Sequence, residues 1–202
     1  MPQVSVVNYG VGNLRSIKRG LEKSGAKVVV THNPKDLRKS DAIVLPGVGA
    51  FAEAARNLAP VTDVVKQLAQ DRLPLFGICL GLQLLFTRSS EGRSMDGLDL
   101  ISGDIVKLPD IVKNPEIGWN TVEIVKPHSL LENVQNNSYT YFAHTYVPQP
   151  AKREVIVATT EYGVRFPSII AKQNLFATQF HPEKSGKTGL TILGNFTKLV
   201  RR

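Results

Sequence analysis

The feature of this sequence that most constrains its fold is the alternation of short apolar runs with helical patterns up to Phe86. The runs VSVVNY, KVVVTH, DAIVLPG and LPLFGI are rich in β-branched and aliphatic residues. Helical patterns follow three of them, and NLRSIKRGLEKSG, for example, places Leu14, Ile17 and Leu21 on one face of a helix. Strands that alternate with helices predict a parallel sheet covered by helices on both faces.

Beyond about residue 100 the pattern changes to short β-like runs separated by turn signals such as Gln173-Asn174. These runs are GDIVKLP, NTVEIV, SYTYFAHTYV, EVIVATTEY, SIIAKQN and LFATQF. We expect antiparallel strands that extend or flank the parallel sheet, and a last amphipathic helix at about GLTILGNFTKLV. No repeat, low-complexity tract or linker interrupts the chain, which predicts a single domain over residues 1–202.

Composition constrains the location and the partners of the chain. No stretch of about 18 apolar residues occurs, and MPQVSVVNYG does not resemble a signal peptide. The single cysteine, Cys79, cannot form an internal disulfide, which favours the reducing cytoplasm. The net charge of +8 permits an anionic substrate, an acidic partner or nucleic acid. Because the basic residues are scattered and not interleaved with aromatics, we expect no nucleic-acid site and no membrane association.

The surroundings of Cys79 are the strongest sign of function. In LPLFGICLGLQLLF the cysteine ends an apolar run and begins a helical one, with Gly77 and Gly81 two residues away on each side. This is the G-x-nucleophile-x-G pattern of a nucleophile elbow. Such an elbow puts the sulfur at a helix N-terminus and beside the N–H of Leu80, a candidate oxyanion donor. The alternative is a small buried core thiol, since free cysteines are among the most buried residues.

A cysteine nucleophile needs a base, and His181 has the most suggestive setting of the four histidines. It follows LFATQF and begins HPEKS, in which Glu183 can orient the imidazole as the third member of a Cys–His–Glu triad. The setting of His144 in YFAHTY favours packing among aromatic residues instead. One cysteine and four scattered histidines form no zinc pattern, and no Gly-rich phosphate loop occurs. We therefore expect no metal and no cofactor.

With these residues in these contexts, the chain resembles the class I, or triad, glutamine amidotransferases. Within them it is similar to the glutaminase subunits of imidazole glycerol phosphate synthase, an enzyme of histidine biosynthesis. The resemblance covers nearly the whole chain and rests on NYGVGNLRS at 8–16, PGVGAF at 46–51, GICLGLQLLF at 77–86, IGWN at 117–120, YFAHTY at 141–146 and FHPEKS at 180–185. It implies a flavodoxin-like α/β fold with a central, mostly parallel sheet, flanking helices and added antiparallel strands.

The resemblance implies a role for each motif residue. Cys79 would attack the side-chain amide of glutamine, His181 would exchange the protons, and Glu183 would orient His181. The backbone around Val48 would supply a second oxyanion donor beside Leu80. The positions that match glutamine-binding residues of the family are Gly49, Gln83, Glu91, Thr145 and Tyr146.

The resemblance also implies a partner. In this family the glutaminase forms a heterodimer with a (β/α)₈-barrel cyclase, which receives the ammonia and makes imidazole glycerol phosphate and AICAR. The positions that match family residues at or near that interface are Asn13, Trp119, Tyr141 and Lys184. One departure from the family pattern is Glu116, which precedes IGWN where His or Gln often stands, in a segment expected to form an interface loop.

Two rival functions remain open from the sequence. A cysteine hydrolase or peptidase with the same elbow would need neither Gln83 nor the PGVG segment, and an assay of glutamine against peptides separates the two enzymes. An interaction protein that kept the fold without catalysis is the second alternative. It predicts that no thioester is trapped by a glutamine analogue, and the three filled triad positions count against it.

Overall fold

The structure, a computed structural model, describes residues 1–92 and 95–200. Within these ranges the α-helices are α1 (Leu14–Lys23), α2 (Pro34–Leu37), α3 (Phe51–Leu58), α4 (Thr62–Gln70), α5 (Leu80–Leu84) and α6 (Gly186–Val200). The strands are β1 (Gln3–Val7), β2 (Lys27–Thr31), β3 (Ala42–Leu45), β4 (Leu75–Ile78), β5 (Phe86–Ser89), β6 (Met95–Asp96), β7 (Ile101–Lys107), β8 (Glu116–Ile124), β9 (Ser138–His144), β10 (Tyr146–Pro150), β11 (Ile156–Glu161), β12 (Arg165–Lys172) and β13 (Leu175–Thr178). None of the helices so described has both the length and the apolar character needed to cross a bilayer.

The main sheet contains nine strands in the order β2-β1-β3-β4-β13-β12-β11-β8-β9. The first five are parallel to one another, and the last four continue the sheet in antiparallel fashion. This mixed α/β sheet confirms the predicted fold class. The run LFATQF was expected to form an antiparallel strand, but its strand, β13, pairs parallel with β4 inside the sheet. Because the carboxyl ends of parallel strands meet at one edge of a sheet, the segments that follow β1, β3, β4 and β13 converge there.

A second sheet, of four strands in the order β10-β7-β5-β6, packs beside the main one. Two sequence predictions were wrong here. LGLQLLF was expected to be helical to Phe86, but α5 ends at Leu84, because the carbonyls of Leu84 and Leu85 accept the N–H groups of Leu98 and Leu100 at 2.7 and 2.9 Å. The single run SYTYFAHTYV is divided at Thr145 into β9 and β10, which belong to different sheets.

Two apolar layers cover the faces of the main sheet. Phe76 and Ile78 of β4 pack on the side of α1 and α6, where Phe76 stacks on Phe196 at 4.9 Å between ring centroids. Leu75 of the same strand faces the opposite layer, which contains Phe51 of α3. Since successive strand residues point to opposite faces, a strand covered on both sides needs a continuous apolar run. LPLFGI is such a run.

Candidate active site

Cys79 occupies the turn between β4 and α5, in a backbone conformation that non-glycine residues rarely adopt. Its φ is 52° and its ψ is −105°, and the residue is only 4% exposed. The N–H of Cys79 donates to the carbonyl of Thr178 in β13 at 2.8 Å, and its carbonyl accepts from the N–H of Gln83 at 3.1 Å. The strained turn is thus held from both sides, as in a nucleophile elbow.

The glycines around the elbow leave no room for side chains. A Cβ on Gly77 would lie 2.7 Å from the carbonyl oxygen of Gly81, across the turn. A Cβ on Gly81 would clash with the carbonyl of Leu45 in β3, so this glycine is required by the neighbouring strand rather than by the turn itself. A Cβ on Gly47 would lie 2.5 Å from that of Leu80, so the PGVG segment packs directly on the residue after the cysteine.

His181 and Glu183 lie in the turn that follows β13. Nδ1 of His181 is 3.0 Å from Oε1 of Glu183, and both side chains are 1% exposed. Burial lowers the pKa of His181, but the negative charge of the nearby Cys79, together with the charge of Glu183 and its hydrogen bond to Nδ1, outweighs it and raises this pKa to about 10. An imidazolium held in this way can stabilise a thiolate and later return a proton to a leaving group.

The free edge of β9 forms one wall of this site. On that edge the N–H of Tyr141 donates to Oγ of Ser185 at 3.0 Å, and the carbonyl of Tyr141 accepts from the N–H of His181 at 2.9 Å. The next carbonyl on the same edge, that of Ala143, is 3.7 Å from Sγ of Cys79. The hydroxyl of Ser185 in turn donates to the carbonyl of His181 at 2.6 Å. His181 and Cys79 therefore both contact β9, the strand at the edge of the sheet.

A cavity of about 180 Å³ opens beside Cys79. Besides the cysteine, it is lined by all of the residues that the sequence assigned to the oxyanion hole and to glutamine binding, and by three others: Val48, Gly49, Leu80, Gln83, Glu91, Thr145 and Tyr146, with Pro115, Ala143 and His144. His181 and Glu183 are buried and do not line it. In the described part of the chain, no group of His, Cys, Asp or Glu side chains could hold a metal ion.

Residues 5–199 match the model of the class-I glutamine amidotransferase family. The chain belongs to this family. Imidazole glycerol phosphate synthase subunit HisH of Methanocaldococcus jannaschii is 49% identical over 197 residues, which cover 98% of this chain and 100% of that protein. The HisH subunit of Moorella thermoacetica is 43% identical over 203 residues, covering 100% and 97%. A solved glutamine amidotransferase has a TM-score of 0.78 at 18% identity, covering 98% of this chain and 99% of that one, and shows the same fold.

The polar residues of the cavity have partners that explain their placement in this class-I glutamine amidotransferase. Gln83 is 5% exposed, and its Nε2 donates to the carbonyl of Tyr146 at 3.0 Å. Oε2 of Glu91 accepts from the N–H of Phe51 at 2.9 Å, at the start of α3. Glu91 thus fixes the far end of the PGVGAF segment while it lines the cavity.

Three buried residues near the site gave no clear signal in the sequence. Gln179 is completely buried, and its Nε2 lies 3.7 Å from Sγ of Cys79. In the sequence, only its polar character within the run LFATQF distinguished it. Tyr9 is buried after β1, and its hydroxyl donates to the carbonyl of Pro46. Glu116 was expected in an interface loop but is buried at the start of β8, with Oε2 3.2 Å from Nε2 of His144.

Two of the predicted interface residues of this glutamine amidotransferase, Trp119 and Tyr141, belong to an apolar face on β8 and β9. Trp119 is 56% exposed and meets Tyr141 edge-on, with 6.0 Å between ring centroids. Nζ of Lys184 lies 5.4 Å from the centroid of the Tyr141 ring. Ile117 and Tyr139, which the sequence did not single out, extend the same face. Asn13 is exposed on a separate element, where it caps α1.

Proposed function

We propose that this chain is a glutaminase subunit that hydrolyses glutamine to glutamate and ammonia with Cys79, His181 and Glu183, and that it supplies the ammonia to a partner cyclase in histidine biosynthesis. The observation that supports this most is the composition of the cavity. One space beside a strained cysteine is lined by the candidate oxyanion segment and by the polar residues that match the glutamine-binding positions of the family.

The first half of the reaction releases ammonia. His181 takes the proton of Cys79, and the sulfur attacks the amide carbon of glutamine. The oxygen of that amide becomes an oxyanion, for which the N–H groups of Leu80 and Val48 are the candidate donors. The C–N bond then breaks, and His181 gives its proton to the leaving nitrogen, which departs as ammonia. The enzyme is left as a γ-glutamyl thioester on Cys79.

The second half restores the enzyme. Water attacks the thioester carbon while His181 accepts one of its protons, and the same donors stabilise the second oxyanion. The C–S bond breaks, glutamate leaves, and the proton on His181 again balances the thiolate of Cys79. Glu183 keeps its position on Nδ1, so that Nε2 is the nitrogen that exchanges protons in both halves.

The fate of the ammonia depends on the partner. A (β/α)₈-barrel cyclase that uses ammonia to form imidazole glycerol phosphate and AICAR fits the HisH relatives, and the exposed face with Trp119 and Lys184 offers it an apolar docking surface with a cation. We expect low glutaminase activity from the lone chain and a large rise with the cyclase and its nucleotide ligand. The free thiol of Cys79 accords with the cytoplasm as the site of this reaction.

The test is synthesis of imidazole glycerol phosphate by the reconstituted pair, with glutamine or with ammonia as the nitrogen source. The Cys79→Ala variant should lose synthesis from glutamine and keep synthesis from added ammonia, because the cyclase acts on ammonia directly. Synthesis from glutamine by this variant would show that Cys79 is not the nucleophile. Hydrolysis of peptides rather than glutamine by the wild-type chain would favour the cysteine hydrolase instead.

A further inference from the structure

We infer that Tyr9 is a positioning residue for the oxyanion segment, residues 46–50, and that its hydroxyl fixes the peptide from which the Val48 N–H is aimed. This inference rests on the proposed glutaminase function, because only an acyl-transfer reaction uses that N–H. Tyr9 lies in NYGVGNLRS at 8–16, a stretch in which the sequence assigned a role only to Asn13, at the partner interface. The structure gives this residue a contact with the catalytic machinery.

The topology of the sheet brings Tyr9 to the oxyanion segment. β1 and β3 are parallel neighbours, with Val6 opposite Val44, so the residues just beyond their carboxyl ends lie side by side. Tyr9 comes two residues after β1 and is 4% exposed. Its ring belongs to the apolar layer that also contains Leu45, Phe51 and Leu80. The Tyr9 side chain is therefore buried in the same apolar layer as the residues that flank the segment.

The hydroxyl of Tyr9 donates to the carbonyl of Pro46, the first residue of the oxyanion segment. Burial, and to a lesser degree the nearby charge of Cys79, raises the pKa of Tyr9 far above its usual value. The hydroxyl consequently keeps its proton at every pH at which the enzyme works. The protonated Tyr9 hydroxyl therefore remains a donor to the carbonyl of Pro46.

The far end of the segment is fixed as well, and the middle is not. The N–H of Phe51 donates to Glu91, as described above. Near the first anchor, a Cβ on Gly12 would lie 3.3 Å from the N of Gly47, so this part is also packed against the NYGVGN loop. Val48, by contrast, is 40% exposed, and a Cβ on Gly49, whose φ is 109°, would meet nothing within 4 Å.

A segment fixed at both ends and open in the middle can turn only the peptides on either side of Val48. Tyr9 holds the peptide immediately before them, between Pro46 and Gly47, and so sets the position from which the Val48 N–H starts. Without the hydroxyl, a buried carbonyl has lost its donor and the first anchor is released. The expected consequence is a weaker oxyanion interaction, and therefore a lower kcat. KM for glutamine should change little, because the residues that would bind glutamine are untouched.

The experiment compares Tyr9→Phe with Tyr162→Phe in the complex with the cyclase. Tyr162 is a matched control, because its hydroxyl also donates to a backbone carbonyl, that of Lys113, at 2.9 Å, and it does not line the cavity. Two reactions of Cys79 are measured: glutamine hydrolysis, which passes through an oxyanion, and alkylation by iodoacetamide, which does not. A third protein carries 3-fluorotyrosine at position 9 and so retains a hydroxyl donor.

Tyr9→Phe should lower kcat for glutamine by about tenfold or more. The upper limit is the roughly 100- to 1000-fold decrease that follows the loss of an oxyanion donor itself. The KM and the alkylation rate of Tyr9→Phe should stay close to those of the wild type, and Tyr162→Phe and the fluorotyrosine protein should behave like the wild type throughout. An unchanged kcat would overturn the inference, and so would an equal fall in the alkylation rate, which would place the effect on the thiol or on the whole fold. Absence of glutaminase activity in the wild-type complex would instead refute the proposed function.

Discussion

Gly77→Ala tests the packing of the elbow without touching any group that takes part in the chemistry. Gly77 lies in β4, between β3 and β13, with Leu45 and Ala177 as its register partners, so the strand cannot shift sideways to make room. An added Cβ would lie 2.7 Å from the oxygen of Gly81 and 2.8 Å from the N of Leu82. These atoms are backbone atoms of the elbow and α5, and they can yield only if the turn at residue 79 moves.

Overpacking of a dense core costs about 1–3 kcal/mol, and the upper end applies here because no flexible side chain can give way. For a chain of this size, about 3 kcal/mol corresponds to a Tm lower by about 6 to 12 °C. We expect that decrease in a thermal melt, together with a loss of glutamine hydrolysis larger than the loss of folded protein. Gly194→Ala is the control, because a Cβ there meets nothing within 4 Å inside α6. It should raise Tm by about 2 to 4 °C, from the roughly 1 kcal/mol by which Ala exceeds Gly in a helix.

The reasoning is refuted if Gly77→Ala melts at the wild-type temperature and hydrolyses glutamine at the wild-type rate. Such a result would mean that the elbow accommodates a Cβ at position 77 despite the short distances to the backbone of Gly81 and Leu82. A lower Tm with full activity in the remaining folded protein would show that β4 moves instead of the turn. In that case the clash at position 77 would lower the free energy of unfolding without changing the geometry of the Cys79 turn.

Three further predictions concern charge and the partner. Because the pKa of His181 is raised to about 10 in the folded chain, from about 6.5 when unfolded, the stability that it contributes is complete below pH 6.5 and lost as the pH rises to about 10. Glu183→Gln should therefore lower the unfolding free energy more at pH 6 than at pH 10 in urea titrations, and an equal loss at both would contradict this. Glu116→Ala leaves the buried His144 and Nδ2 of Asn120 without their carboxylate partner and should cost about 1–3 kcal/mol in the same titration, and a cost below about 0.5 kcal/mol would show these contacts to be dispensable. Trp119→Ala, at an exposed position, should change stability by less than about 0.5 kcal/mol but weaken cyclase binding by about 2 kcal/mol or more in calorimetry, and undiminished affinity would exclude this face as the interface.

The local patterns predicted the first four strands and α1, but they gave no sign of α2 and did not show where α5 ends. β3 and β4 are short apolar strands buried at every position, and α1 buries Ile17 and Leu21 on the face that their spacing indicated. The second sheet could not be predicted in the same way. It depends on pairing between distant segments, such as β10 with β7, and on a change of sheet at Thr145 inside one uninterrupted β-like run. Nothing in the local propensities of SYTYFAHTYV marks that corner.

The site shows the same division between local and long-range information. The spacing of glycines around Cys79 and the HPEKS turn pointed to the elbow and its base, because both patterns are contiguous in the chain. The contact of Tyr9 with Pro46 joins residues 37 positions apart, and the pair of Glu116 and His144 depends on the register of β8 and β9. Such contacts exist only once the sheet is assembled, so a single sequence could name these residues without assigning them a role.

The hydrogen bonds that attach residues 181–185 to Tyr141 have a consequence for solubility. An edge strand with unpaired N–H and C=O groups is a template for pairing with another molecule, and β9 is long and rich in aromatic residues. The turn that contains His181 covers this edge at Tyr141. Substitutions that loosen this turn should therefore expose a strand prone to aggregation as well as slow the reaction. Residues 181–185 thus connect the proposed chemistry of His181 with protection of the edge of β9.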